Sequence, residues 1–283
     1  MNWKIKAAAF RALTVLPYGA DLHFFAQRRL TGTLPRSAAS LALYWEQARA
    51  LLALWSAHQG TPRPDALLEI GAGRDLAGPL ALLQMGVARV LASDVQRLAR
   101  IDLVCHAAAH MARRADSTKA PPTSWAELEG LGLCYRAPDR VRAPYPEAFA
   151  CTYSNAVLEH VPRGELPALL GGLKSATRPG GLSIHFIDYS DHYARSDRTL
   201  SRFNFLTFTD RQWAKYNTAL QHVNRLRHGD YLTLFRGAGF TIAEEATRAG
   251  EPSREVRANL APDFRHYAAR DLFSLEGRII AVA

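Results

Sequence analysis

The chain has 283 residues, 48% hydrophobic and 22% charged, a balance that excludes a disordered polypeptide. Its length allows one large α/β domain with additions, or two small domains. The net charge is +9, but the 35 Lys and Arg residues are scattered and form no basic run interleaved with aromatics, so no nucleic-acid partner is expected.

No apolar run reaches the roughly 20 residues that a membrane-spanning helix needs. The Ala- and Leu-rich stretch 41–55 is interrupted by Glu46, Gln47 and Arg49 and reads as a surface or lid helix. Lys4 and Lys6 precede Ala7-Ala8-Ala9-Phe10, but Arg11 ends that apolar stretch well short of the roughly 7–15 residues of a signal core. Cys105, Cys134 and Cys151 are odd in number and lack CxxC spacing. They read as thiols in a reducing compartment, and a cytoplasmic location is expected.

Residues 1–60 carry helical spacing and many aromatics, and read as an N-terminal helical lid segment. Gly60-Thr61-Pro62-Arg63-Pro64 is a linker, after which a core domain runs over 61–283. Strands are predicted at 65–70, 88–93, 131–135, 149–154, 182–187, 240–246 and 277–282. Helices are predicted at 76–85, 95–113, 125–128, 166–177, 210–217 and 222–238, and a polar, aromatic cap insertion over about 189–230. The alternation implies an α/β fold with a doubly wound, mainly parallel, seven-stranded sheet. The last two strands suit an antiparallel edge.

The main chemical signal is Leu67-Leu68-Glu69-Ile70-Gly71-Ala72-Gly73. A strand ending in Gly-x-Gly lets the backbone turn tightly against a ligand. Asp94 ends the next strand, where a carboxylate can accept both ribose hydroxyls of an adenosine, with Val95 beside it. Leu76 stands where a dinucleotide-binding turn has its third glycine, which argues against NAD. Glu69 stands where a carboxylate can orient a ligand's amino group.

Glu69-Ile70-Gly71-Ala72-Gly73, then Ser154-Asn155-Ala156-Val157-Leu158-Glu159-His160-Val161, then Arg178-Pro179-Gly180-Gly181 resemble three successive motifs of the class I S-adenosylmethionine-dependent methyltransferases. The resemblance covers about residues 60–190 and the closing strands. It implies a Rossmann-like fold and S-adenosylmethionine as cofactor, held by Glu69, Gly71, Ala72, Gly73, Asp94, Val95 and Asn155. It also implies that Asp139 reaches the adenine amino group. Ala150 departs from the family, which usually has Asp there, and puts hydrogen bonding in the fourth strand in question.

Methyl transfer is a direct displacement, so the chain must place a nucleophile and remove its proton. The expected catalytic residues are Asn155, His185, Asp188, His192 and Tyr193, at and after the ends of the fourth and fifth strands. Asp188, Asp191 and His192 also read as a loop tied by its own carboxylates. Their spacing matches no defined metal motif, and no metal is expected. Glu159-His160 reads as a turn stabiliser. Tyr18, Trp213, Asn217 and Arg225 are candidates for substrate contact, Arg225 alternatively as an internal partner of Asp210. The expected function is methylation of a small molecule on O, N or carboxylate, in a specialised-metabolite or glycan pathway. The rivals are attack on another sulfonium carbon, which releases methylthioadenosine, and RNA modification.

Overall fold

Short apolar runs closed by turns build the centre of the molecule. The computed structural model describes residues 2–118, 120–146 and 148–283, the side chain of Ala20 apart. Helices α1 (Trp3–Val15), α2 (Gly19–Arg29) and α3 (Ala38–Gln59) precede β1 (Ala66–Ile70), whose five residues are all buried. Then come α4 (Ala77–Gln84), β2 (Arg89–Ser93), α5 (Ile101–Arg114), α6 (Trp125–Gly130), β3 (Leu133–Arg136) and β4 (Phe149–Asn155). The chain continues through α7 (Leu166–Ala176), β5 (Thr177–Asp188), α8 (Asp210–Trp213), α9 (His228–Gly237) and β6 (Thr241–Ala249). It closes with α10 (Arg254–Ala258), α11 (Ala269–Leu272) and β7 (Ser274–Val282).

The seven strands lie in the order β3-β2-β1-β4-β5-β7-β6. The pairs β1–β2, β1–β4, β2–β3 and β4–β5 are parallel, while β7 runs antiparallel to both β5 and β6. The expected antiparallel edge is thus present, with β7 inserted inside β6. One face carries a core that joins α3, α4 and α5 through Leu51, Leu80 and Val104. The other is covered by α7 and α9 through Leu170 and Phe235. Leu41, Ala48, Leu51 and Trp55 of α3 belong to the first core, so the division at residue 60 leaves one wall of that core on the N-terminal side.

Several boundaries differ from the sequence pattern, each for a local reason. The helix expected from Val95 begins at Ile101. Leu98 N and Ala99 N donate instead to the Tyr135 hydroxyl at 3.0 and 3.2 Å, and Arg100 N to Arg74 O at 3.1 Å. The helix expected from 222 begins at His228, because Arg225 takes φ +63° and Asn224 Nδ2 donates to Leu158 O and Val161 O. Around Trp213 only the one-turn α8 forms, held by a capping box between Thr209 and Gln212. The β4–β5 register shifts between Phe149 and Cys151, and Ala150 falls in that irregularity.

A third core lies in the cap, and the sequence pattern gave no sign of its second half. Residues 250–273, between β6 and β7, contribute Val256, Phe264, Leu272 and Phe273 to it. Helix α1 is pinned there by Trp3, whose ring lies 4.7 Å from Tyr216, 5.5 Å from Tyr193 and 6.5 Å from Trp213, centroid to centroid. Trp3 N also donates to Asp197 Oδ2 at 3.1 Å. Replacing Trp3 by Ala should cost about 3 kcal/mol, the lower end of the range for a buried tryptophan because Lys6, Ala7 and Arg11 still hold α1 to the cap. Denaturant unfolding measures this; a loss well under about 1 kcal/mol would mean that α1 is not part of the cap core.

Candidate active site

The turn Gly71-Ala72-Gly73 leaves β1 with both glycines at positive φ, +69° and +77°. A Cβ on Gly71 would fall 2.5 Å from Val157 Cγ2, so a side chain is excluded there by contact as well as by backbone. Gly71 N donates to Ser93 O at 2.8 Å and ties the turn to the end of β2. Asp94 is buried next to it. Its Oδ2 accepts from Gly73 N at 3.3 Å and its Oδ1 from Gln96 N at 3.4 Å. Burial raises the Asp94 carboxyl above the usual range, against the pull of those backbone donors.

Two cavities meet at this turn. One, of about 530 Å³, is bounded by Asp94 and Asp139 among apolar groups that include Val95, Leu98, Val141 and Leu169. Asp139 N donates to Asp94 O at 2.8 Å, and its Oδ2 accepts from the Tyr145 hydroxyl at 2.6 Å. The other, of about 470 Å³, is bounded by Glu69, Tyr153 and Asn155 below and by Arg36, Ser40, Tyr44 and Gln47 on the side of α3. Gly71, Gly73, Ala156 and His160 border both. A third space of about 370 Å³ shares Gln47, Asn155, Ala156 and Arg195 with the second and extends to Asp188 and Glu276.

Glu69 sets the electrostatics of the second cavity. It is 7% exposed, and its Oε2 has no hydrogen-bond partner. Burial pushes its carboxyl up to about 8. It lies so close to α4 that a Cβ on Gly78 would stand 2.8 Å from Oε1. A buried acid without a donor, facing a cavity, suits a ligand that brings a cation. On the far side Asp188 also meets burial that would raise its carboxyl. Donors from His192 and Ser190 and the charge of Arg195 outweigh this and hold it well below the carboxylate range.

The structure therefore brings Glu69, Gly71, Ala72, Gly73, Asp94, Val95, Asp139, Asn155 and Asp188 to the connected cavities. His192 stands behind Asp188, with Nε2 3.6 Å from Asp188 Oδ2. Other expected residues go elsewhere. His185 is buried on the α9 face of the sheet, between Ser154 Oγ and Ser183 Oγ at 2.7 Å each, and packs on Phe235; burial lowers it to about 3, so it stays neutral. Tyr193 and Trp213 lie in the cap core, the Tyr193 hydroxyl donating to Tyr216 O at 2.7 Å. Arg225 is buried against Phe205 O, Phe208 O and Asp210, so its internal pairing is the one observed. Asn217 accepts from Val223 N at 2.8 Å, and Tyr18 is 79% exposed at the start of α2, away from the three cavities.

Arg36, Tyr44, Gln47, Tyr153, His160 and Arg195 line the cavities without having been singled out for this role. For Gln47 a signal existed: it is one of the polar breaks in an otherwise apolar helix. The others needed the packing of α3 over β4 and the turn after β5.

No protein-family model matches the sequence, and no curated protein is similar to it in sequence. Solved structures do resemble it. The pyocyanin biosynthetic protein PhzM matches with a TM-score of 0.50 at 14% identity, over 96% of this chain and 61% of that one. Magnesium protoporphyrin IX methyltransferase from Synechocystis PCC 6803, solved with S-adenosylhomocysteine, matches with a TM-score of 0.48 at 14% identity, over 84% of this chain and 82% of that one. The chain has the class I methyltransferase fold. At these identities the likeness is one of fold, and this chain spans about three-fifths of PhzM.

On this class I fold the buried Glu69 has a consequence for stability. Its carboxyl titrates near 4.5 when exposed and near 8 when folded. The folded state then holds a proton that the unfolded state has lost, so stability falls as pH rises from about 4.5 to about 8. Glu69→Gln should flatten that fall and leave the ligand-free protein more stable near pH 8 than the parent. Denaturant unfolding over a pH series would show it; parallel curves for the two proteins would contradict it.

Proposed function

We propose that the protein is an S-adenosylmethionine-dependent methyltransferase whose acceptor is a small molecule attacked at O, N or carboxylate. The observation that carries this reading is the pair of buried acids on either side of one glycine turn, each at its own cavity. Asp94 serves the ribose hydroxyls, with adenine among Val95, Leu98 and Leu169 and its amino group near Asp139. Glu69 serves the ammonium of the methionine part. The sulfonium methyl then lies beside Ala156 and Asn155, towards the space that reaches Asp188 and Arg195. Gln47 and Ala50 of α3 bound the space towards Asp188 and support a small acceptor. A lid role for residues 1–60, a specialised-metabolite or glycan pathway and a cytoplasmic setting belong to the same reading. Free thiols at Cys105 and Cys151 support the last of these. No described helix is long and apolar enough to cross a membrane.

Positioning accounts for most of the chemistry. The acceptor's lone pair attacks the methyl carbon, the carbon–sulfur bond breaks, the thioether leaves as a neutral group, and the proton of an O–H or N–H acceptor passes to water. Asp188, held ionised, accepts a hydrogen bond from the acceptor, and the Asn155 amide fixes its approach.

The first test is binding. S-adenosylhomocysteine should bind and NAD should not, and Asp94→Ala should weaken the former by about 1.5–3 kcal/mol, as expected for lost hydrogen bonds to a charged group. Calorimetry showing NAD binding, or an unchanged affinity in the variant, contradicts the assignment. The second test is the nucleoside product of turnover. S-adenosylhomocysteine supports methyl transfer, whereas methylthioadenosine assigns attack on another sulfonium carbon. Tight RNA binding with a steep salt dependence would replace the small acceptor by a polynucleotide.

Affinity for S-adenosylhomocysteine should also rise with pH towards about 8, because Glu69 must lose its proton to meet the ligand's ammonium. Glu69→Gln should bind more weakly and lose the part of that dependence that Glu69 contributes. A pH profile identical in parent and variant removes Glu69 from the cofactor site.

A further inference from the structure

Glu159 lies in the 3-10 turn Leu158–His160 that follows β4, and it is 1% exposed. Neither of its carboxyl oxygens has a hydrogen-bond partner. Enclosing a carboxyl without donors is costly and calls for a compensating group. Two imidazoles stand beside it. His160 is the next residue, and His192 opens the 3-10 turn His192–Arg195 after β5. Their rings are 4.9 Å apart, inclined at 61°. One donor atom from each of Glu159, His160 and His192 lies within 4.8 Å of the other two.

The His160 ring is held from behind. His160 Nδ1 is 2.6 Å from His222 O, so Nδ1–H donates to that carbonyl and Nε2 keeps its lone pair. His192 is buried, and its Nε2 faces Asp188 Oδ2 at 3.6 Å and Arg195 Nη2 at 3.1 Å. Metal-binding histidines are oriented in this manner, one ring nitrogen held by a carbonyl or carboxylate and the other left for the ion.

We propose that Glu159, His160 and His192 form a binding site for one divalent transition-metal ion, of which zinc is the model. Two imidazoles and one carboxylate are a zinc donor set, whose bonds of about 2.0–2.2 Å require the three donor atoms to draw in from the 4.8 Å within which they lie. Two nitrogen donors of three disfavour magnesium and calcium. The chief competitor is Arg195. An ion on His192 Nδ1 requires Nε2–H, which turns to Asp188 and gives up the Arg195 contact, while one on Nε2 displaces Arg195 outright; the Arg195 side chain is 55% exposed and has room to move.

His160 borders both cavities at the glycine turn, so an ion held there would stand beside the space assigned above to the reacting groups. An acceptor hydroxyl bound there would lose its proton to water at lower pH, and the resulting oxygen anion would attack the methyl carbon as the carbon–sulfur bond breaks. This catalytic use rests on the methyltransferase reading; the binding of the ion does not.

The experiment uses the full chain, stripped with a chelator and titrated with Zn²⁺ in the absence of cofactor, with Co²⁺ absorption as a second readout. One ion per chain is expected, with cobalt bands of nitrogen and oxygen ligation and no thiolate charge-transfer band. Loss of an outer partner of a metal ligand typically costs about 10–100-fold in affinity, so loss of a ligand itself should cost at least about tenfold. Glu159→Gln, His160→Ala and His192→Ala should each do so. His160→Ala touches the cavity rim rather than the core, and retained circular dichroism and an unchanged unfolding midpoint identify the variants that remain folded. No ion bound by the parent, or binding that survives His160→Ala in the folded variant, overturns the site. If zinc binds as described while S-adenosylhomocysteine does not, the metal site stands and the methyltransferase reading falls.

Discussion

The arrangement depends on one constraint: two carboxyl groups, Glu69 and Asp94, are kept out of water on either side of a turn that only glycine can make. Burial disfavours the charge of each acid. For Asp94 the backbone of the turn itself supplies one donor, so the acid and Gly73 hold each other in place. For Glu69 one oxygen is left without a donor. Such a site stores part of the protein's stability as readiness for a cationic ligand, a common trade at functional sites.

Helix α3 couples that constraint to the rest of the fold. One face, with Leu41, Ala48, Leu51 and Trp55, completes the core over α4 and α5. Another carries Ser40, Tyr44 and Gln47 to the cavity above Glu69. Arg36, just before the helix, bonds Asp75 at 2.7 Å and fixes the start of α3 over the loop after the glycine turn. The roof of the site is therefore tied to the core rather than hung from a flexible tether.

The cap follows a different logic. Its aromatic core gathers α1, the segment after β5 and the segment between β6 and β7, three pieces far apart in sequence. Arg225 binds two carbonyls and Asp210 beneath it, satisfying backbone groups that no strand or helix would satisfy. Asn224 does the same for Leu158 O and Val161 O, and so links the cap to the turn that bears Glu159 and His160.

The sequence by itself determined the sheet, the glycine turn and the acids next to it. These are local: an apolar run of strand length, a glycine at positive φ and an acid at a strand end are each written in a few adjacent residues. It could not determine the faces of residues whose partners are distant. His185 reads as a catalytic residue until Ser154 and Ser183 take both of its nitrogens, and Trp213 reads as a substrate contact until Trp3 stacks on it. Nor does any spacing join Glu159 and His160 to His192, because the ends of β4 and β5 become neighbours only when the two strands pair. Periodicity fixes which side of a strand a residue takes; what waits on that side is decided by chain that arrives from elsewhere.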